Sequence, residues 1–374
     1  MRTPRRRLFA AATAALALLA PLVPAVAAQA TPAQPVPTLQ LLGHVEIPPG
    51  GTFQGTTVGG LSSISYDAAR GVYYALSDDR SALQPARFYT MRIDTSHGSL
   101  SAGDISFTDV TTLRDPSGQP YPLNSLDPEG MVLTPRDTLM LTSEGDTSRL
   151  IDPFIREIGL DGYQVGELAL PAGISPTADH SSGVRNNLGF EPAAVTPDGK
   201  TFVTGLENAL YQDGPAATLT NGSRSRLLQY DLRTGALRHE FAYDTDPIAD
   251  TPVPPTAFAV NGLDELLPLD DHRFLAMERS FSVGVGNRIK IYEIDLRGAT
   301  DVAHLDALAG VDTVRPVSKR LVLDVNSTGL TLDNLEGLTY GPTLPDGRRS
   351  LLVISDDNFD PAAVTQLLLF AIDD

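Results

Sequence analysis

The sequence predicts an all-β fold, a β-propeller of four-stranded antiparallel blades with its ring closed by an N-terminal strand. Three observations predict it. Beyond residue 39 no stretch sustains a helical period, and short apolar runs alternate with turns rich in Gly, Pro, Asp and Asn. The runs recur as a longer unit, a hairpin ending in an acid followed by a further strand. Runs such as TLMLT (138–142) and LLVIS (351–355) are apolar on both faces, as strands sandwiched between neighbouring sheets must be.

The hairpin occurs five times. It reads GLSSISYDAARGVYYALSDD from Gly60, EGMVLTPRDTLMLTSEGD from Glu129 and EPAAVTPDGKTFVTGLEN from Glu191. It returns as DELLPLDDHRFLAMERS from Asp264 and EGLTYGPTLPDGRRSLLVISDDN from Glu336. Third strands follow at RFYTMRID (87–94), FIREIGL (154–160), RLLQYDL (226–232), RIKIYEIDL (288–296) and TQLLLFAID (365–373). Fourth strands are predicted at 104–110, 164–170, 236–243 and 319–325. The last repeat lacks one, and the unpaired run LQLLGHVEI (39–47) could complete that blade and close the ring, leaving few exposed edges. The acidic strand ends Asp78, Glu144, Glu207, Glu278 and Asp356 lie 66, 63, 71 and 78 residues apart. Compact blade repeats take roughly 40–50 residues, so long loops are inserted. Five blades is the direct count, the inserts have room for a sixth, and a two-sheet sandwich is the competing fold.

Residues 1–30 read as a signal peptide. Arg5-Arg6-Arg7 precede an apolar run from Leu8 to about Ala20, and A-x-A cleavage sites follow at 25–27 and 28–30. Arg6-Arg7-Leu8-Phe9 also fits the twin-arginine export pattern. An uncleaved anchor is the alternative, for which the apolar run is short. Residues 31–38 form a Pro-rich linker, and 39–374 one propeller domain. A secreted or periplasmic monomer is expected.

The 374 residues include no Cys, which excludes disulfides, thiolate metal sites and a cysteine nucleophile. The net charge of −18 deepens to −22 once the four Arg of residues 1–30 are removed. Only Lys200, Lys290 and Lys319 are lysines, so neither nucleic acid nor, after signal cleavage, an anionic membrane is an expected partner.

In an antiparallel hairpin the start of one strand and the end of the next share an edge. That places Glu129 beside Glu144, Glu191 beside Glu207, Asp264 beside Glu278, and Glu336 beside Asp356; in the first repeat Gly60 stands opposite Asp78. If these are the inner strands, nine carboxylates converge on one mouth of the propeller. Such crowding requires protonation or cations, and hard oxygen ligands favour Ca²⁺, or another divalent cation of the same kind, over Zn²⁺ or copper. Taken singly, an acid at a strand end is ordinarily a solvated turn residue; recurrence in every repeat distinguishes the set. Arg80, Arg149, Arg185 and Arg279 flank these acids. A guanidinium suits phosphate or carboxylate oxygens, or simply pairs with its acidic neighbour; for Arg279 the structural pairing is expected.

Other templates are missing: no G-x-S-x-G elbow, Walker A loop or H-E-x-x-H occurs. Asp244-Thr245-Asp246 begins like a calcium loop but lacks the EF-hand Gly, and reads as a turn. The six His are scattered, with His180 in a polar loop.

The segments GLSSISYDAARGVYYALSDDR, LDPEGMVL, RNNLGFEPAAVTPDGKTFVTGLEN, GLDELLPLDDHRFLAMERS and NLEGLTYGPTLPDGRRSLLVISDDNF resemble the phytase-like domain family, over roughly residues 55–373. Pro192-Ala193 follows Glu191 where that family's pattern has Gly-Leu. The resemblance implies an esterase-like activity of the phytase type: a cation-dependent hydrolysis of a small phosphate or carboxylate ester by activated water, without a protein nucleophile. It implies Asp78, Asp79, Glu129, Glu144, Glu191, Glu207, Glu278, Glu336, Asp356 and Asp357 as ligands, with Arg80 and Arg185 as substrate anchors. A calcium-stabilised binding propeller without turnover and a lactonase-like propeller are the competing functions.

Overall fold

A computed structural model describes residues 36–373, in five four-stranded antiparallel sheets arranged as the blades of a propeller. The first blade holds β4 (Ser63–Asp67), β5 (Val72–Ser77), β6 (Arg87–Ile93) and β7 (Ile105–Thr112). The second holds β8 (Pro128–Leu133), β9 (Thr138–Ser143), β10 (Phe154–Gly159) and β11 (Gln164–Leu168). The third holds β12 (Phe190–Val195), β13 (Thr201–Leu206), β14 (Arg224–Asp231) and β15 (Ala236–Asp244). The fourth holds β16 (Ala259–Pro268), β17 (Arg273–Ser282), β18 (Gly286–Asp295) and β19 (Ser318–Asp324). The fifth consists of β20 (Asn334–Tyr340), β21 (Arg349–Asp356) and β22 (Thr365–Asp373), with β1 (Thr38–Ile47) antiparallel to β22. A short hairpin of β2 (Thr52–Phe53) and β3 (Thr56–Thr57) precedes the first blade.

The count is five rather than six, and the loops absorb the extra length of each repeat. The sandwich alternative falls with it, because the described residues form five four-stranded sheets and not two packed ones. β1 begins at Thr38, which pairs with Asp373. The signal segment lies outside the described residues. Helical structure among the described residues amounts to two 3-10 turns, and no helix there is long and apolar enough to cross a membrane.

Five apolar layers between adjacent blades take the place of one central core. Alternation along β21 shows why its sequence is apolar on both faces. Leu351 and Val353 pack with Leu275, Met277 and Ile291 of the fourth blade, while Leu352 and Ile354 pack with Ile64, Tyr73 and Tyr89 of the first. Side chains alternate across a strand, so a strand buried on both sides must be apolar throughout. The first strands β4, β8, β12, β16 and β20 are neighbours in sequence around the ring and line its centre. Each begins at the same face, which is where the acids meet.

Candidate metal centre

The five inner hairpins share one register at this face. Glu144 donates its backbone N–H to the carbonyl of Asp127, Glu207 to that of Gly189, and Asp78 to that of Gly60. Asn334 stands opposite Asp356, and Gly262 opposite Arg279. Just inside each pair the first strand carries a bulge, containing Glu129, Glu191, Asp264 and Glu336 in the second to fifth blades. Ser62 holds the matching place in the first blade. A bulge adds a residue and re-aims its side chain, so the bulged acids join those of the second strands.

Nine carboxylates therefore converge: Asp78, Asp127, Glu129, Glu144, Glu191, Glu207, Asp264, Glu336 and Asp356. Two groups are tight enough for one ion each. Oxygens of Asp127, Glu129 and Glu144 lie within 4.8 Å of one another, as do oxygens of Glu144, Glu191 and Glu207. Glu144 belongs to both. The backbone is cut back to admit them. A Cβ on Gly60, itself at φ +64°, would fall 2.1 Å from Asp78 Oδ1, and a Cβ on Gly262 would fall 2.2 Å from Glu207 Cγ.

Burial and mutual repulsion push these groups toward the neutral form. Burial, reinforced by Asp356, Glu336 and Asp127, holds Asp78 well above the usual carboxylate range. Glu129, Glu191, Glu207 and Asp356 are raised by burial and neighbouring acids in the same way. Burial lifts Asp127 to about 6 despite an ion pair of 2.6 Å with Arg80, and Glu144 to about 8. Asp264 and Glu336 rise to about 7 through burial, although Arg279 pulls both down. Asp78 Oδ1, Glu144 Oε2, Glu207 Oε1 and both oxygens of Asp264 are buried without a hydrogen-bond partner. Buried acceptors without donors are costly, and protonation or an oxygen-coordinated cation can satisfy them.

Four expected site residues are placed elsewhere. Glu278 faces away from the ring, into the layer between the third and fourth blades. It accepts hydrogen bonds there from Tyr243 Oη (2.6 Å) and the Asp246 N–H (2.8 Å), and meets Lys319 Nζ at 2.5 Å. The strand register gives its place to Arg279, and in a strand a shift of one residue reverses the side chain. Asp79 clamps a loop: it accepts from the N–H groups of Ala82, Leu83 and Gln84 and pairs with Arg87 at 2.7 Å. Asp357 accepts from the N–H groups of Gly60 and Phe359. Arg185 donates to the carbonyls of Ala209 and Gly214 and lies over the Tyr211 ring, which commits it to the loop. Arg80 does reach the ring, bridging Asp127 and Asn187 Oδ1 (2.7 Å). Asp246 serves an inter-blade layer with Lys290 and Lys319, and His180 packs near Tyr211 in its loop.

Asp127 is the member that sequence reasoning passed over. Its signal was its offset, two residues before Glu129, the offset of Asn334 from Glu336. Arg279 had one too, since it follows Asp264 by the fifteen residues that separate Glu129 from Glu144.

The ring opens into a cavity of about 730 Å³, with Glu207, Arg279 and Glu336 on its wall. Asn187, Asn287, Asn334 and Asn358 add carboxamides, and Phe258, Val260 and Phe281 supply an apolar side.

A family model described as "Phytase-like: Esterase-like activity of phytase" matches residues 56–359. The chain belongs to the phytase-like family. No curated protein matches it. Among solved structures it is similar to a periplasmic gluconolactonase of Pseudomonas aeruginosa, at 12% identity and TM-score 0.36, over 86% of this chain and 89% of that one. It is also similar to a gluconolactonase of Xanthomonas campestris, at 13% identity and TM-score 0.34, over 83% and 85%. An α-L-arabinofuranosidase of Podospora anserina aligns at 10% identity and TM-score 0.44, over 89% and 98%. Likeness at this level concerns architecture alone, and a propeller hosts many chemistries.

Proposed function

We propose that this member of the phytase-like family is a hydrolase of phosphate or carboxylate esters that depends on divalent cations, Ca²⁺ foremost, held by the carboxylate ring. One observation carries the reading: two tight carboxylate groups share Glu144, with Glu144 Oε2 and Glu207 Oε1 buried without donors, beside an open cavity. Asp127, Glu129 and Glu144 would hold one ion, and Glu144, Glu191 and Glu207 a second. Held by these residues, such a cation would supply Lewis-acid polarisation of an ester oxygen and activation of water, with no need for a protein nucleophile. The chain's own residues do the rest. Arg80, anchored on Asp127 and Asn187, orients an anionic oxygen of the ester at the rim of the first group. Glu336, fixed by Asn334 Nδ2 at 2.7 Å, is a carboxyl that can hold and release a proton near neutral pH. Phe258 and Phe281 shield the cavity on its apolar side. Export through residues 1–30 would deliver the protein to a calcium-rich compartment.

The test is elemental analysis of the purified protein, then hydrolysis of p-nitrophenyl phosphate and p-nitrophenyl acetate with and without a chelator. Bound divalent cation and chelator-sensitive turnover of either ester are expected. No turnover with Ca²⁺, Mg²⁺ and Mn²⁺ all supplied would overturn the hydrolase. A cation-dependent rise in Tm in that case leaves the binding propeller standing.

A further inference from the structure

The carboxylate ring is not symmetric. In four blades the end of the second strand carries an acid at the ring position, as Asp78, Glu144, Glu207 and Asp356; in the fourth blade the same register places Arg279 there. Its guanidinium Nη2 meets Asp264 Oδ1 at 3.4 Å and Glu336 Oε1 at 3.3 Å, so it bridges the bulged acids of the fourth and fifth blades. The arginine side chain is only 12% exposed, and its Nε lies buried without a hydrogen-bond partner. Those ion pairs are longer than well-formed charge-assisted hydrogen bonds of about 2.7–2.9 Å. Arg279 thus offsets part of the charge of its two neighbours, as a cation placed between them rather than as a fitted fork.

The acids divide accordingly. Both groups of the ring that are tight enough for an ion belong to the second and third blades, and neither includes Asp264, Glu336 or Asp356. Asp356 has donors of its own, the Asn358 N–H at 2.7 Å and Asn334 Nδ2 at 3.4 Å.

We infer that Arg279 is a built-in cation: it stands where an ion would otherwise sit between Asp264 and Glu336, and confines divalent-cation binding to the carboxylates of the second and third blades. The inference rests on the cation-dependent reading of the ring and adds to it where the ions stop. A fixed guanidinium cannot be chelated or exchanged, so the charge it places between Asp264 and Glu336 is present under all conditions, while compensation on the other side depends on the ion supply.

The experiment is a count of bound Ca²⁺ per chain, by elemental analysis and by calorimetric titration, in the full chain and three variants. Arg279→Glu restores the carboxylate found at this position in the second and third blades, and is expected to bind one more Ca²⁺ per chain than the natural protein. Arg279→Gln removes the charge without adding an acid, and is expected to bind the extra ion at least tenfold more weakly than Arg279→Glu. Arg279→Lys should keep the natural count. A natural protein that binds no divalent cation would sink the metal reading itself. A natural protein that binds Ca²⁺, with folded Arg279→Glu and Arg279→Gln binding the same number, overturns the built-in cation alone. If Arg279→Glu folds only when Ca²⁺ is present, as followed by circular dichroism, the inference is upheld; if it folds under no condition, the count for Arg279→Gln decides.

Discussion

Glu144 Oε1 accepts a hydrogen bond of 2.5 Å from the backbone N–H of Gly189, so the acid ending the second blade's hairpin is seated on the mouth of the third. The same carboxylate belongs to both tight acidic groups. Its removal should therefore do more harm than the removal of an acid outside both groups. Glu144→Gln is expected to weaken Ca²⁺ binding by at least about tenfold, since ligand charge sets affinity for this ion. Asp264→Asn, outside both groups, should change it little. Calorimetric titration of the two variants side by side checks the ranking, and equal losses would refute it.

The raised carboxylates carry a pH dependence with a definite sign. Asp127 at about 6, Asp264 and Glu336 at about 7 and Glu144 at about 8 all lie above the value near 4 that they take when unfolded. A folded pKa above the unfolded one gives stability that is fully present below about pH 4 and is lost as pH rises through the folded values. The chelated protein should therefore melt at progressively lower temperature between about pH 5 and 8. Cation binding opposes the loss, so the gain in Tm from added Ca²⁺ should be larger at pH 8 than at pH 5.5. Thermal unfolding at the two pH values, with Ca²⁺ and with chelator, gives the four numbers required.

Glu265 follows Asp264 but faces inward along the ring's centre. It is 2% exposed, with Oε1 accepting from the N–H groups of Ala193 (3.1 Å) and Leu266 (2.9 Å), and Oε2 from Ser63 Oγ (3.3 Å). Burial holds its pKa well up, with Asp264 adding to it, and outweighs the N–H groups of Leu266 and Ala193 and the Ser63 hydroxyl, which lower it. Glu265→Gln keeps the shape and the two accepted N–H bonds while removing the ionisation. Because the raised pKa makes the natural residue a growing liability as pH rises, the variant should match the natural protein near pH 5. It should unfold at higher denaturant concentration near pH 8. A lower midpoint at both pH values would show that the carboxylate is required as such.

The blades were legible because their cause is local. Apolar runs buried on both faces and turns at regular distances appear directly in the residues, and the third and fourth strands fall close to where the runs place them. The convergence of acids was legible for the same reason, since each hairpin repeats it. What could not be read is which way a given side chain faces. At the fourth hairpin two ionisable residues stand side by side, Glu278 and Arg279, and residue type favours the acid; pairing with Gly262 and Leu263 decides for the arginine. Asp79 is a second case. Beside Asp78 it reads as a ligand, and only the return of Arg87 eight residues later, from the next strand, shows its carboxylate to be taken.

That pair makes a final prediction that separates a ligand from a loop clamp. Asp79 and Arg87 are each 1% exposed at the side chain and meet at 2.7 Å. Burial pushes the Asp79 pKa up, but the Arg87 guanidinium and the N–H groups of Gln84, Leu83 and Ala82 outweigh it and hold the carboxyl below its ordinary value. Arg87 in turn donates to Tyr89 Oη and the Thr57 carbonyl, tying β6 to the β2–β3 hairpin. Removing one partner of a buried pair strands the other charge, at a cost of about 3–5 kcal/mol. Asp79→Ala should therefore lower Tm by roughly 4–7 °C, a modest shift because the unfolding entropy of a domain this large is large. The number of Ca²⁺ ions bound by the folded variant should be that of the natural protein. Measured together, Tm and cation count distinguish the roles: a lost ion with Tm unchanged would return Asp79 to the ligand set.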